Sequence, residues 1–415
     1  MALSPAVRIV SVGASVAGGG HADAAAIAAA LAASGLPVGA HVVVDDDESA
    51  LEDALRFDGV TAIVAGIGGS AGDSVRRVLT RITGGRLLLS ERMRTLLEAH
   101  YARLDRPVPR SAERLALLPQ GALVADGDAP VWMLETEASA WVVFLRGRVA
   151  EGLERTLVPL AAERLGARGG LAVRTFKTAG VSAEEIEDRL VDRLAAPDVT
   201  VTTLPGDGEV WVRVRARGRT PAAAAKTLDD VEPMVAELLG ADCYGRDADT
   251  LEEVVGALLR ARGVMLALAE SCTGGLVGHR LTGVPRSSEY FERGVMVVSP
   301  QATQDMLGVD EAILRTHGAV SAPCAEAMAR GVCERSRAAC GLSITGVTEP
   351  EDGTPGKPVG TVFIGLAVEG TVSARRFRFS GDRALVKWQS SVMALDMLRR
   401  ELQAVGSERP LEAPP

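Results

Sequence analysis

Residues 266–275 read LALAESCTGG, and this stretch decides how the last third of the chain folds. Its four leading apolar residues predict a buried strand, and the paired glycines predict a sharp turn into a helix. A strand that turns directly into a helix is the repeating unit of a parallel α/β sheet. The turn also exposes the hydroxyl of Ser271, which makes this residue our candidate nucleophile.

The residues after Ser271 suit two different roles. A turn of small residues at a helix start presents backbone N–H groups, which favour a phosphate or a developing oxyanion. Thr273, Gly274 and Gly275 would shape such a site. Serine and threonine before a helix are also ordinary helix caps, and spacing alone favours that simpler role.

The amino-terminal part repeats the same alternation of strands and helices. Residues 7–12, 38–44 and 60–65 have the pattern of strands, whereas 21–34 and 48–57 have that of helices. This order predicts a doubly wound sheet whose ligands bind beyond the carboxyl ends of the strands. The candidate loops at that edge are 13–20 and 66–73.

Composition breaks divide the chain into three domains and a tail. The segment LGARGG at 165–170 ends the first domain. The segment that follows is a small α+β module with a predicted helix at 182–195. In the same module, the alternating VWVRVRARG at 210–218 predicts a half-exposed strand. Thr250 and Glu253 form a capping box for a helix that ends at Gly263. We predict an α/β protein with domains at 1–168, 169–246 and 247–405, followed by a flexible tail at 406–415.

The overall composition restricts the partners. The chain of 415 residues carries a formal charge of −9, which disfavours a phosphate-backbone binder, and only 3% aromatic residues, which disfavours base stacking. Five unpaired cysteines fit a reducing compartment, and no apolar run approaches the roughly 20 residues that span a bilayer. We therefore expect a cytoplasmic protein that binds neither nucleic acid nor membrane.

Five ordered blocks resemble the carboxy-terminal domain of the CinA family. They are AESCTGGLVGHRLTGVPRSSEYFERGVMVVS at 269–299, HGAVS at 317–321, ITGV at 344–347, GKPVGTVFIGL at 356–366 and FSGDR at 379–383. LLPQGA at 117–122, RTFKTAGVSAEEIEDRL from residue 174 and TLEEVVGALL from residue 250 are also similar to CinA proteins. The resemblance implies a molybdopterin-binding-like first domain, a KH-type module and a nicotinamide-nucleotide amidohydrolase domain.

The resemblance also implies which residues form the site. It points to Ser271 as the catalytic serine of an enzyme that releases ammonia from nicotinamide mononucleotide. It also implies a substrate pocket and a homodimer, and we expect no cofactor or metal. The implied pocket residues are Thr273, Gly274, Gly275, Ser287, Ser288, Ser299, Thr345 and Gly346.

Several positions depart from the family pattern in the carboxy-terminal domain. Val298 and Thr303 replace a tyrosine and a lysine thought to assist the serine, and neither can accept its proton. His279 would lie about 12 Å from Ser271 along one helix, out of reach. His317 and Lys357 come from loops that could approach, although turn bonding or a solvated lysine is the simpler role.

Two acidic residues and four arginines change the charge near the predicted pocket. Glu349 and Glu351 add negative charge where a phosphate would bind. Four arginines could offset them or could simply face solvent: Arg375, Arg376, Arg378 and Arg383.

The amino-terminal loop retains only part of the family's phosphate and metal motif. Gly66, Gly68, Ser70 and Asp73 remain, but one aspartate of the family pair is absent, and a hard cation favours carboxylate ligands. The glycines are also explained by a tight turn, and Asp73 by helix capping. We therefore expect no metal-dependent hydrolysis of ADP-ribose. The alternative to an amidohydrolase is an inactive pseudoenzyme that keeps the fold and binds a ligand or assembles.

Overall fold

The computed structural model describes residues 6–407 except 14–20, 46, 66–69, 104, 110–111, 128–129, 146–148, 166–169, 191–192, 194–196, 337, 350 and 352. By internal contacts the chain divides into two compact units. One is Met1–Val173 with Arg215–Asp230, and the other is Arg174–Val214 with Val231–Pro415. The domain boundaries at 168 and 246 remain predictions.

The amino-terminal part contains short and long elements around one main sheet. In chain order they are β1 (Val7–Val12), α1 (His21–Ala33), β2 (Val38–Val44), α2 (Glu48–Leu55), β3 (Gly59–Ala65), α3 (Ser70–Thr83), β4 (Leu87–Leu89), α4 (Glu91–Arg103), α5 (Ala112–Leu115), β5 (Leu117–Pro119), β6 (Leu123–Val124), β7 (Trp132–Glu135), β8 (Ser139–Leu145), α6 (Ala150–Gly152), a π-helical turn (Leu153–Leu157) and α7 (Val158–Leu165).

This sheet has the predicted doubly wound character. Its strand order is β2-β1-β3-β8-β7-β6, with β2, β1, β3 and β8 parallel and the last two antiparallel. Gly35 takes a φ of 69°, the left-handed conformation that ends a helix. Helix α2 ends at Leu55 rather than at residue 57, because Arg56 already leaves helical geometry on the way to β3.

The middle module forms a sheet of order β10-β11-β9-β12. Its elements are β9 (Gly170–Ala179), α8 (Ala183–Leu190), β10 (Val199–Pro205), β11 (Glu209–Gly218), α9 (Pro221–Leu239), a 3₁₀ turn (Gly240–Asp242) and β12 (Cys243–Arg246). Burial alternates along β11, as predicted for a half-exposed strand. The predicted helix at 182–195 is described only as α8, since most of residues 191–196 lie outside the described ranges.

The carboxy-terminal part has a five-stranded sheet of order β14-β13-β15-β16-β17, in which the first three strands are parallel. Its elements are α10 (Leu251–Arg262), β13 (Leu266–Glu270), α11 (Leu276–Thr282), a 3₁₀ turn (Ser287–Glu289), β14 (Phe291–Met296), α12 (Pro300–Leu307), α13 (Glu311–His317), α14 (Ala322–Ser336), β15 (Cys340–Gly346), β16 (Thr361–Val368), β17 (Thr371–Arg378) and α15 (Arg383–Ser407). The predicted capping box of Thr250 and Glu253 is confirmed, as is the left-handed Gly263 at the end of α10.

The alternation along β13 divides its side chains between two cores. Leu266 and Leu268 pack with α10, α11 and α15, whereas Ala267 and Ala269 pack with residues of α12 and α14. Glu270 follows with the same parity as the leucines and therefore points toward α11 and α15. The alternation of side chains along β13 therefore places the Glu270 carboxylate at the candidate site.

A buried ionic cluster fixes the carboxyl half of α15 to the middle module. Arg399 and Asp396, each 1% exposed, form an ion pair of 2.6 Å. Arg399 also donates to the carbonyl of Ala241 at 2.6 Å, and Arg400 bridges Asp396 and Asp242. Burial tends to raise the pKa of Asp242, but hydrogen bonds from Arg400 and Arg189 outweigh it, so that pKa lies below its ordinary value.

Candidate active site

The turn between β13 and α11 is held by backbone hydrogen bonds and by glycine conformations. Ser271 N donates to the carbonyl of Ile344 at 3.0 Å, and Gly274 N donates to the carbonyl of Ser271 at 3.1 Å. Gly274 and Gly275 have φ values of 62° and 89°. Residues with side chains rarely adopt these angles, so the two glycines allow the chain to enter α11 directly.

Glu270 occupies the backbone donors at the start of α11. Its carboxylate is buried and accepts from the N–H groups of Gly275, Val277 and Gly278 at 3.1, 3.2 and 2.8 Å. The expectation that these groups are open to a phosphate is therefore corrected for these three donors. The carboxylate instead stabilises the helix start and fixes the shape of the turn.

The Ser271 hydroxyl lies half-buried beside this locked turn. It makes no hydrogen bond to any residue that the structure describes. The neighbouring Cys272 points its sulfur into the core, and burial raises the pKa of its thiol to about 12. A thiol with that pKa is protonated at neutral pH, so Ser271 and not Cys272 is the accessible nucleophile of the turn.

Thr273 presents a second unsatisfied hydroxyl in the same turn. The residue is completely buried, and its Oγ1 has no hydrogen-bond partner within the described part of the chain. A buried hydroxyl without a partner costs about 1–3 kcal/mol. Thr273 therefore does not act as a helix cap through its side chain.

Three other predicted residues lie at the same sheet edge as Ser271. Gly346 is next to Cys272, since a Cβ there would lie 3.0 Å from the cysteine sulfur. Thr345 donates its hydroxyl to the carbonyl of Ala319 at 2.9 Å. Ser299 caps α12 by accepting from Ala302 N at 3.1 Å. Thr345 and Ser299 thus have structural partners of their own.

Ser287 and Ser288 lie elsewhere, which corrects the prediction that they share the pocket. They follow α11 and precede Tyr290, whose carbonyl accepts from the N–H of Leu266 at the start of β13. The length of β13, roughly 15 Å, separates this edge from Ser271. Within one chain these serines do not line the same site. Arg286, which precedes them, has a φ of 64°, a left-handed conformation that favours glycine.

No alternative base contacts Ser271 in the described residues. Val298 is 81% exposed, and the Thr303 hydroxyl donates to the carbonyl of Ser299 at 3.0 Å. Lys357 donates to the carbonyl of His317 at 2.7 Å, in agreement with the simpler role for this pair. His279 is exposed in the last turn of α11.

The acidic loop after β15 is partly neutralised. Arg383, at the start of α15, forms an ion pair with Glu349. Arg376 donates to the carbonyl of Gly356 at 2.8 Å and lies over the ring of Phe363, while Arg375 lies over Phe377. Of the four arginines considered, Arg383 forms a described ion pair with an acidic side chain of this loop, and Arg378 is exposed on β17.

A lysine that sequence reasoning missed lies against the turn. Lys387 Nζ would be 3.4 Å from a Cβ placed on Gly274, and its charge acts on Cys272. Lys387 comes from α15, so no local sequence signal relates it to Ser271. The acceptor role of Glu270 was also missed, although the alternation of LALAE places it on the side of α11.

The amino-terminal loop shows a different arrangement. Gly66 and Gly68 lie outside the described residues, and Ser70 begins α3. Asp73, in the first turn of α3, pairs with Arg76, whose side chain is 8% exposed. Burial lowers the pKa of the Arg76 guanidinium, and Asp73 opposes this effect. Arg76 lines a small cleft with Gly72, Trp132 and other largely apolar residues.

Neither a metal site nor a membrane span is found in the described ranges. No group of three or more histidine, cysteine, aspartate or glutamate residues there could hold a metal ion. None of the described helices combines the length and apolar character needed to cross a bilayer.

Comparisons with known proteins first identify the families of the two domains in the second half of the chain. A family model described as "CinA C-terminal domain" matches residues 248–402, and one described as "Damage-inducible protein CinA KH domain" matches 173–245. A CinA-like protein of Geobacter metallireducens is 37% identical over 391 residues, which cover 92% of this chain and 94% of the relative. A putative competence-damage inducible protein of Moorella thermoacetica is 37% identical over 393 residues, with the same shares. The chain therefore belongs to the CinA family.

Two solved structures similar to this chain each cover less than half of it. A competence-damaged protein (CinA) superfamily protein from Klebsiella pneumoniae is 32% identical, with a TM-score of 0.36, over 38% of this chain and 99% of that chain. A competence/damage inducible protein from Agrobacterium tumefaciens is 36% identical, with a TM-score of 0.36, over 37% of this chain and 93% of that one.

Proposed function

We propose that the carboxy-terminal domain hydrolyses the amide of a nicotinamide nucleotide, with Ser271 as the nucleophile. The single observation that carries this proposal is the half-exposed position of Ser271 on a turn whose shape is fixed by Glu270 and by two left-handed glycines. A rigid turn holds the attacking oxygen in one position, which lowers the entropy cost of the reaction.

The reaction balances with water as the second reactant. The Ser271 hydroxyl loses its proton as its oxygen bonds to the amide carbon, the C–N bond breaks, and the amide nitrogen takes up that proton and leaves as ammonia. Water then cleaves the resulting ester, which restores the serine hydroxyl and releases the nucleotide carboxylate. A small nucleotide is thus the proposed partner, and a homodimer remains a prediction.

The test is ammonia release by the purified full-length chain from nicotinamide mononucleotide. Ser271→Ala is expected to reduce the rate at least ~10³-fold, because the nucleophile is removed. Ser373→Ala is the matched control, since Ser373 is exposed on β17. An unchanged rate in Ser271→Ala would reject Ser271 as the nucleophile.

A second candidate is a ligand-binding protein without catalysis. The observation that favours it is the lack of any described side chain bonded to the Ser271 hydroxyl, together with valine and threonine at the family's tyrosine and lysine positions. In that case nicotinamide mononucleotide would raise the melting temperature of the protein without ammonia release.

A further inference from the structure

Lys387 places an unpaired cation at the candidate active site. Its Nζ lies 3.4 Å from the Cβ position of Gly274, and the residue is half-buried. It makes no hydrogen bond or ion pair with any residue that the structure describes. The other charged residues discussed on α15 are paired: Arg383 with Glu349, and Arg399 and Arg400 with Asp396.

The two carboxylates discussed for the candidate site, Glu270 and Glu349, have other partners and form no ion pair with Lys387. The Glu270 carboxylate is buried and engaged by three backbone N–H groups. Glu349 is engaged by Arg383. An ammonium group close to bonded carboxylates keeps its capacity to bind a further anion.

The buried hydroxyl of Thr273 is a second, independent indication of a missing partner. Thr273 immediately precedes Gly274 in the chain, and its Oγ1 is unsatisfied. Ser271, at the start of the same turn, also has no side-chain partner. Of these three groups only the Thr273 hydroxyl is fully buried, and a buried polar group is normally bonded in a folded chain.

We infer that Lys387 binds the phosphate of the substrate and thereby selects phosphorylated nucleotides over nucleosides. This inference rests on the proposed amidohydrolase function and assigns the substrate class of the same site. A lysine ammonium is a compact charge suited to phosphate oxygens. Lys387 lies beside Gly274 and forms no described hydrogen bond with the Ser271 hydroxyl, so its role in this inference is to position the substrate and not to activate the nucleophile.

The experiment compares two substrates that differ only in the phosphate: nicotinamide mononucleotide and nicotinamide riboside. Lys387→Met is expected to raise KM for the mononucleotide about 10–100-fold, because one charge-assisted contact is lost. Its kcat for the mononucleotide and both constants for the riboside should stay within about threefold of wild type. Lys387→Arg should restore most of the affinity, and the exposed Lys226→Met is the matched control.

Three outcomes would overturn the inference. A fall in kcat with both substrates would show that Lys387 acts on the reaction itself. Unchanged constants with both substrates would show that it has no role. A loss of affinity in Lys387→Arg equal to that in Lys387→Met would show that the charge is not what matters.

A binding experiment tests the role of Lys387 even if the protein has no amidohydrolase activity. If wild type releases no ammonia from either substrate, calorimetric Kd values replace the kinetic constants. The mononucleotide should then bind wild type at least about tenfold more tightly than the riboside, and Lys387→Met should abolish that preference. Equal binding of the two compounds by wild type, or no binding of either, would contradict the role of Lys387.

Discussion

The turn after β13 and the helix start after β3 use an acidic residue in different ways. In the carboxy-terminal turn, Glu270 satisfies three backbone donors, and the side chains of Ser271, Thr273 and Lys387 bond to no residue that the structure describes. At the amino-terminal helix start, Asp73 engages the side chain of Arg76, and the described part of the segment presents no comparable unsatisfied set.

The two carboxylates have different consequences for the polar groups around them. A carboxylate that bonds the backbone organises the turn and allows nearby side chains to remain available for a ligand. A carboxylate that bonds a neighbouring guanidinium satisfies both charges within the chain. This contrast supports the proposal that the chemistry of this protein lies in its carboxy-terminal domain.

The largest expected effect comes from Glu270→Gln. A glutamine would place N–H donors against backbone N–H groups, so the variant should lose about 3 kcal/mol of unfolding free energy. Urea unfolding followed by circular dichroism measures this loss. Glu289→Gln is the control, since Glu289 forms an exposed pair with Arg286. If Glu270→Gln and wild type have the same urea midpoint of unfolding, the carboxylate does not hold the turn.

A smaller effect is expected from Gly346→Ala, which tests the packing behind the turn. The added Cβ would lie 2.7 Å from a methyl group of Val362 and 3.0 Å from the sulfur of Cys272. Relief of this overlap should displace the turn and cost about 2 kcal/mol of stability. Gly356→Ala is the matched control, because nothing lies within 4 Å of its added Cβ. Equal melting temperatures for the two variants would contradict the close contact.

The smallest effect is expected at the amino-terminal helix. Asp73→Asn leaves the buried Arg76 with a neutral partner and should cost about 1 kcal/mol, because Asp73 is partly exposed and the pair is screened by solvent. Wild type with Mg²⁺ should release no AMP from ADP-ribose. Metal-dependent AMP release that disappears in Asp73→Asn would mean that this loop still binds a metal and would remove the contrast between the two regions.

Local signals predicted the α/β fold well, because they depend on nearby residues. The strand at LALA, the capping box of Thr250 and the left-handed glycines each follow from a few positions in the chain. The structure bears out these elements with small shifts at their ends.

The composition of the site was harder to predict, because it depends on tertiary packing. Ser287 and Ser288 are close to Ser271 in sequence but at the opposite edge of the sheet, since α11 reverses the direction of the chain. Lys387 reaches the turn from the last helix, and only the packing of α15 against α11 brings it there. The role of Glu270 as a hydrogen-bond acceptor could have been predicted, because side chains alternate along a strand and Glu270 follows Leu266 and Leu268 on the side that faces α11.

The ionic cluster at the carboxyl half of α15 has a practical consequence for producing shorter forms of this protein. The helix that carries Lys387 near its beginning also carries Arg399, which donates to the carbonyl of Ala241. Cleavage of the polypeptide after residue 246 and removal of everything before it would take away that carbonyl and Asp242. A guanidinium that the intact chain shields from water would become solvated, and the excised fragment would lose a support for the helix that delivers the lysine.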